Sequence, residues 1–126
     1  MSAGMVLHAA VLAHLKTTCR VFDAPTARAA MPVAVLGEAV LGASDAAGVS
    51  GRTGTITVDY VDTGESPERL RALVGAVEAA AAGVPRGLGE GWQLTGLRLT
   101  KSRIQRGKGD RWVASSEFAV RMYRVQ

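Results

Sequence analysis

Three carboxylates fall within seven residues, Asp59, Asp62 and Glu65, and closely spaced oxygen ligands are the raw material of a divalent-cation site. Too few further ligands accompany them. Thr63-Gly64 makes a turn between them, so acidic residues at a strand end and before a helix N-terminus are the simpler reading. His8 and His14 are six residues apart, which on a helix separates them by roughly 120° and prevents them sharing one metal ion. Cys19 lies five residues after His14 with no carboxylate to orient that base, and it reads as a small packed thiol. Gly48-Val49-Ser50-Gly51-Arg52-Thr53 resembles a phosphate-binding loop only faintly. That motif needs four residues between its glycines, then Lys and Ser or Thr before a helix; here two intervene and Arg replaces Lys. No nucleophile, base and orienting group fall into a usable arrangement, so no catalytic residue, cofactor or metal is expected.

Charge is the next chemical resource. The 126 residues carry a net +4, but Arg98–Gln126 holds eight Lys or Arg against Asp110 and Glu117, leaving Met1–Leu97 at −2. Such asymmetry fits a surface aimed at something anionic, or a solvated pair of strands. Trp92 and Trp112 flank this basic segment, where aromatics beside arginine can stack bases, or anchor a hairpin by burial. A small nucleic-acid-binding module is therefore the alternative function.

Composition bounds the elements that must position these residues. Hydrophobic residues are 48% and charged ones 21%, a globular balance, and the length fits a single domain over 1–126. Much of the apolar content is Ala and Gly, so the core should be thin and gain from burial against neighbouring subunits. The lone Cys19 excludes an intrachain disulfide and suits a reducing compartment. No apolar run approaches the roughly 18 residues of a membrane-spanning helix, and the start lacks the basic region of a signal peptide; no membrane partner is expected.

Along the chain, Met5, His8, Leu12, Leu15 and Cys19 recur at helical steps, predicting a helix from Ala3 that ends near Thr17 or Thr18. Val21–Ala30 reads as a connecting loop, Val33–Val40 as a buried strand, and Gly42–Gly54 as a long mobile loop. Thr55–Asp62 alternates strictly, with Ile56, Val58 and Tyr60 on one face. Ser66 caps and Pro67 opens a second helix that buries Leu70, Leu73, Val74, Val77 and Ala81, and Gly83 and Pro85 stop it. Trp92–Gln126 reads as a long β-hairpin turning at Gly107-Lys108-Gly109-Asp110, with Trp112, Ala114, Ser116, Phe118, Val120 and Met122 sharing one face. On its outgoing strand, strict alternation places Lys101, Arg103 and Gln105 under Leu97 and Leu99, which no buried core accepts. Either a bulge shifts the register near Lys101, or the tip runs beyond the domain as an arm; polar residues on both faces from Thr100 to Arg111 favour the arm. The whole is an α+β domain, a four-stranded, mainly antiparallel sheet with two helices and a long C-terminal β-hairpin.

Val21-Phe22-Asp23, Met31-Pro32-Val33-Ala34-Val35-Leu36-Gly37 and Gly54-Thr55-Ile56-Thr57-Val58-Asp59-Tyr60 before the capped helix resemble, in shape and spacing, the tail-terminator or tail-completion family of long-tailed phages and gene transfer agents. The resemblance implies a structural subunit without chemistry. It implies a ring, usually a hexamer, that binds the last ring of major tail-tube protein, stops polymerisation and presents a surface to the head connector, with DNA passing through the lumen. Such a protein is expected at the head–tail junction of a virion or virion-like particle assembled in the host cytoplasm. Two segments are assigned to its contacts: the hairpin arm with Lys101, Arg103, Gln105, Arg106, Lys108 and Arg111, and the loop with Ser44, Asp45, Val49 and Arg52.

Overall fold

The computed structural model describes residues 1–125; Gln126, the end of the expected hairpin, lies outside the described residues. The element order is α1 (Ala3–Leu15), β1 (Val21–Phe22), β2 (Val33–Leu36), β3 (Val40–Ala43), β4 (Val49–Thr63), α2 (Glu68–Ala81), β5 (Gly87–Gly89), β6 (Trp92–Arg106) and β7 (Arg111–Val125). The strands form one sheet in the order β1-β2-β4-β7-β6-β5, with β3 also paired to β4. Every pairing is antiparallel except β1 with β2.

The α+β class holds, but the sheet has seven strands rather than four. The extra strands are short or rich in glycine. β1 and β5 span two and three residues, below the length at which alternation is visible. The run Val33–Val40 is interrupted at Gly37, whose N–H donates to the Thr57 carbonyl at 2.8 Å. β2 then pairs with Val58–Val61 and β3 with Arg52–Thr55, so two strands follow one another along β4. The expected mobile loop Gly42–Gly54 is mostly this β3–β4 hairpin. Apart from Gly48 in the turn, its glycines belong to the ladder: a Cβ at Gly54 would collide with the Val40 carbonyl, and one at Gly51 with the Ser44 carbonyl.

Both helices feed a single core with one face of the sheet. Ile56, Val58 and Tyr60 from β4, and Phe118, Val120 and Met122 from β7, are all buried there. In α2 the buried stripe is Leu70, Val74, Val77 and Ala81, with Leu73 packed partly against it. Ser66 Oγ accepts from the Glu68 N–H at 3.2 Å, but the helix starts one residue later than expected, with Pro67 at the N-cap position rather than in the first turn.

The buried residues of α1 share only Leu15 with the expected stripe. Val6, Leu7, Val11 and Leu15 point inward, whereas Met5 is 56% exposed. The helix is apolar around most of its circumference, so periodicity has little to choose between faces. It also ends at Leu15, before Cys19.

β6 carries bulges between Leu94 and Gly96 and between Leu99 and Lys101. The second settles the hairpin's register. Lys101, Arg103 and Gln105 pair with Glu117, Ser115 and Val113, placing them on the face opposite the helices, while Ser102 and Ile104 take the core side. An arm running free of the domain is therefore overturned: β7 pairs with β4 along its whole length, up to Thr63 opposite Arg111.

Candidate functional site

The basic hairpin is held firmly at both ends. At its tip, Gly107 N–H donates to the Arg111 carbonyl at 2.7 Å, and Gly109 supplies the positive φ of 63° that the turn requires. Gly64 N–H donates to the Asp110 carbonyl at 2.8 Å, and Trp112 Nε1 donates to the Gly64 carbonyl at 3.1 Å. These bonds tie the tip to the turn after β4. Arg106 lies over the Trp112 ring, 5.5 Å from its centroid. At the root, Trp92 is 2% exposed beneath Arg52 and Arg124.

Between these anchors β6 is a free edge. On one side it pairs with β7; on the other, β5 reaches only Trp92 and Gln93, and Leu94 N–H donates to the Arg86 carbonyl. From Thr95 to Arg106 no strand covers that edge among the described residues. Arg98, Lys101 and Arg103 line the helix-free face together with Arg121 of β7. None of the four forms an ion pair among the described residues; Arg103 is braced by Gln105 Oε1 at 2.6 Å. Lys108 and Arg111 are exposed at the tip. Of the six expected hairpin residues, Lys101, Arg103, Gln105 and Arg106 lie in the outer half of β6, Lys108 in the turn, and Arg111 at the start of β7.

The second expected group is separate from the first and partly satisfied internally. Asp45 Oδ1 accepts from the Gly51 N–H at 2.9 Å and from Arg52 Nη1 at 3.1 Å, closing the β3–β4 turn. Val49 bridges back to Ala46, and Ser44 stands exposed beside them. Arg52 points toward Trp92 at the hairpin root, so this turn neighbours the root while Lys101, Arg103 and Gln105 lie toward the tip.

The acidic trio is dispersed. Asp62 is fully buried and its carboxylate is held by Arg69 Nε and Nη2 at 2.8 and 2.7 Å, while Asp59 is exposed on the opposite face. Burial works against the Asp62 charge, but Arg69 and the Thr63 N–H outweigh it and hold the carboxyl below its ordinary range. Among the described residues no three His, Cys, Asp or Glu side chains group as metal ligands. His8 Nε2 lies 3.2 Å from Asp23 Oδ1 but makes no hydrogen bond among the described residues, while Arg20 bonds the Ala30 carbonyl and so fastens the segment after β1. One buried polar network escaped sequence reasoning: the Tyr60 hydroxyl meets Ser116 Oγ at 2.8 Å, and Ser116 Oγ donates to Glu78 Oε2 at 2.6 Å. Burial raises the Tyr60 hydroxyl well above its ordinary value. The available signal was Ser116, a lone polar residue in the inward row of β7.

Among the described residues the sheet thus presents one bare, basic edge. The family model described as "Tail completion protein gp17" matches residues 5–123. The chain belongs to this tail completion family. It is accordingly a structural protein of phage-type tails and is associated with the virion. The fold is similar to that of a chain in a solved structure titled "Virion of native gene transfer agent (GTA) particle". The two share 21% identity over 98% of this chain and 99% of that one, with a TM-score of 0.83. No curated protein matches the sequence.

Proposed function

We propose that this tail completion protein forms a closed ring, a hexamer, that caps the end of the tail tube, ends its polymerisation and offers its other surface to the head connector. The observation that carries this reading is the uncovered β6 edge with its exposed cations, in a chain of the tail completion family. Unpaired strand edges are templates for another chain, and subunits meeting through two different patches close into a ring when their rotation permits. The two bulges and the positive charges of β6 keep that edge from pairing indiscriminately, which suits a part that must add once and then stop.

The β6–β7 tip and the β3–β4 turn are separate patches, as heterologous contact requires. Lys101, Arg103, Gln105, Arg106, Lys108 and Arg111 form one side of the contact with a neighbour or with the major tail-tube protein; Ser44, Asp45, Val49 and Arg52 form the other. Light scattering of the purified chain, alone and with tail-tube protein, tests this. A defined oligomer whose mass falls to the monomer with Lys101→Glu/Arg103→Glu supports the reading; a wild-type monomer at high concentration that also ignores tail-tube protein overturns it.

The row Arg98, Lys101, Arg103 and Arg121 on the helix-free face also supports a nucleic-acid contact, either as a separate module or with DNA passing through the ring. Affinity for DNA should then fall steeply with salt as counterions are released. Absence of binding at low salt removes this second reading.

A further inference from the structure

β3 presents another uncovered edge: it pairs with β4 alone, and Val40 in it is 71% exposed. Hydrogen bonding within each ladder fixes which backbone groups the β3 and β6 edges leave over. In β3, Ser44 N–H donates to the Gly51 carbonyl at 2.9 Å. Antiparallel strands alternate residues bonded to the partner with residues turned away, so Gly42 and Val40 also turn to β4. The N–H and carbonyl groups of Leu41 and Ala43 then face outward. At the hairpin tip Gly107 N–H donates to the Arg111 carbonyl at 2.7 Å, and an unbroken register runs back to Lys101. Gln105 and Arg103 therefore bond to β7, while Ser102, Ile104 and Arg106 turn their backbone groups to the open edge. None of these outward residues has a main-chain partner across its edge among the described residues.

Faces and directions match as well. Leu41 and Ala43 lie opposite Gly54 and Arg52, on the helix side of the sheet, and Ser102 and Ile104 take that same side. Leu41 and Ile104 are both half-buried at the rim of the core. Through β4 and β7, β3 runs antiparallel to β6. Joining the β3 edge of one copy to the β6 edge of the next thus continues antiparallel pairing and keeps both sets of helices on one side. Copies that repeat in strand direction and in facing are related by rotation about an axis along the strands, the head-to-tail relation a ring needs. Charge favours this partner over a symmetric one. From Glu38 to Gly51 the chain carries Glu38 and Asp45 but no Lys or Arg, whereas the open half of β6 carries Lys101, Arg103 and Arg106. Two β6 edges would set those cations against their own copies.

We propose that the β3 edge of a second copy of this chain adds as a strand to the outer half of β6, with Leu41 opposite Ile104 and Ala43 opposite Ser102. Strand addition presupposes the self-associating ring above and gives its contact a chemistry, main-chain hydrogen bonding, and a register.

The test is a Leu41→Cys/Ile104→Cys protein in a Cys19→Ser background, oxidised under native conditions. Opposed residues in such a pair have Cα atoms about 5.5 Å apart, within disulfide reach, whereas three strand spacings, about 14 Å, separate β3 from β6 inside one chain. Denaturing gels should show a ladder of covalent oligomers that neither single-cysteine variant gives. Ala43→Pro removes an edge N–H that the fold itself does not use, so the oligomer should be lost with an unchanged circular dichroism spectrum. An oligomer in light scattering that yields no ladder, or that a folded Ala43→Pro protein still forms, overturns strand addition and leaves the ring standing. A monomer at high concentration overturns strand addition, and one that also ignores tail-tube protein overturns the ring with it.

Discussion

The root and the tip of the β6–β7 hairpin share one continuous ladder, yet their surroundings are opposite. At the root, Trp92, Leu94, Phe118, Val120 and Met122 are buried beneath the helices. Toward the tip only β6 is uncovered: Arg98–Arg103 is exposed throughout and Leu99 is 42% exposed, whereas Ala114 and Ser116 of β7 stay buried, Ser116 against Glu78 of α2. The same pairing therefore serves stability at the root and along β7, and leaves the outer half of β6 available. A strand longer than its core needs a reason outside the chain, and membership of a tail completion family supplies one.

The sharpest way to break the comparison is to truncate one residue in each half. Phe118→Ala, at the root, should cost about 3–5 kcal/mol in urea unfolding through lost transfer energy and a residual cavity. Replacing Ser116 by Ala removes the hydroxyl joining Tyr60 to Glu78, leaving buried groups unpaired at a cost of about 1–3 kcal/mol by the same measurement. At the tip, Lys101→Ala and Arg103→Ala should each change stability by less than about 0.5 kcal/mol, since they remove only exposed surface. The same two changes should nevertheless weaken self-association in sedimentation velocity. A tip variant as costly as Phe118→Ala would erase the distinction.

A smaller, pH-dependent effect should come from Asp62, which lies beneath neither half but beside the tip turn. Its carboxyl is held below the ordinary range, so its stabilisation is full above the unfolded value of about 3.9 and is lost as pH falls through the lower folded value. Thermal melts between about pH 3 and 5 should show a declining midpoint in the wild type. In Asp62→Asn that part of the decline should disappear.

Much of the architecture was legible because local signals agreed with it. The alternation of Ile56, Val58 and Tyr60 and the Gly107–Asp110 turn stand where periodicity and turn chemistry put them, and the second helix starts within one residue of its expected place. What was not legible depended on contacts distant in sequence. Gly51 and Gly54 read as loop residues, yet they are strand residues made necessary by the close approach of β3. The inward face of an Ala-rich α1 is chosen by what packs against it rather than by its own pattern. The bulge after Leu99 is a property of the ladder with β7, and alternation within β6 alone could only offer it as one of two solutions. For the candidate site, the basic residues were visible as charge; that they line one bare edge, and that Arg52 turns to Trp92 instead, required the fold.

Whether the bare half of the hairpin makes this chain a terminating subunit, as proposed, is tested most directly by electron microscopy of tail-tube protein polymerised with and without it. Shorter tubes with a ring of extra density at one end are expected, and Lys101→Glu/Arg103→Glu should abolish both effects while the variant stays folded. Tubes of undiminished length with bare ends in the presence of the folded wild-type chain would contradict it.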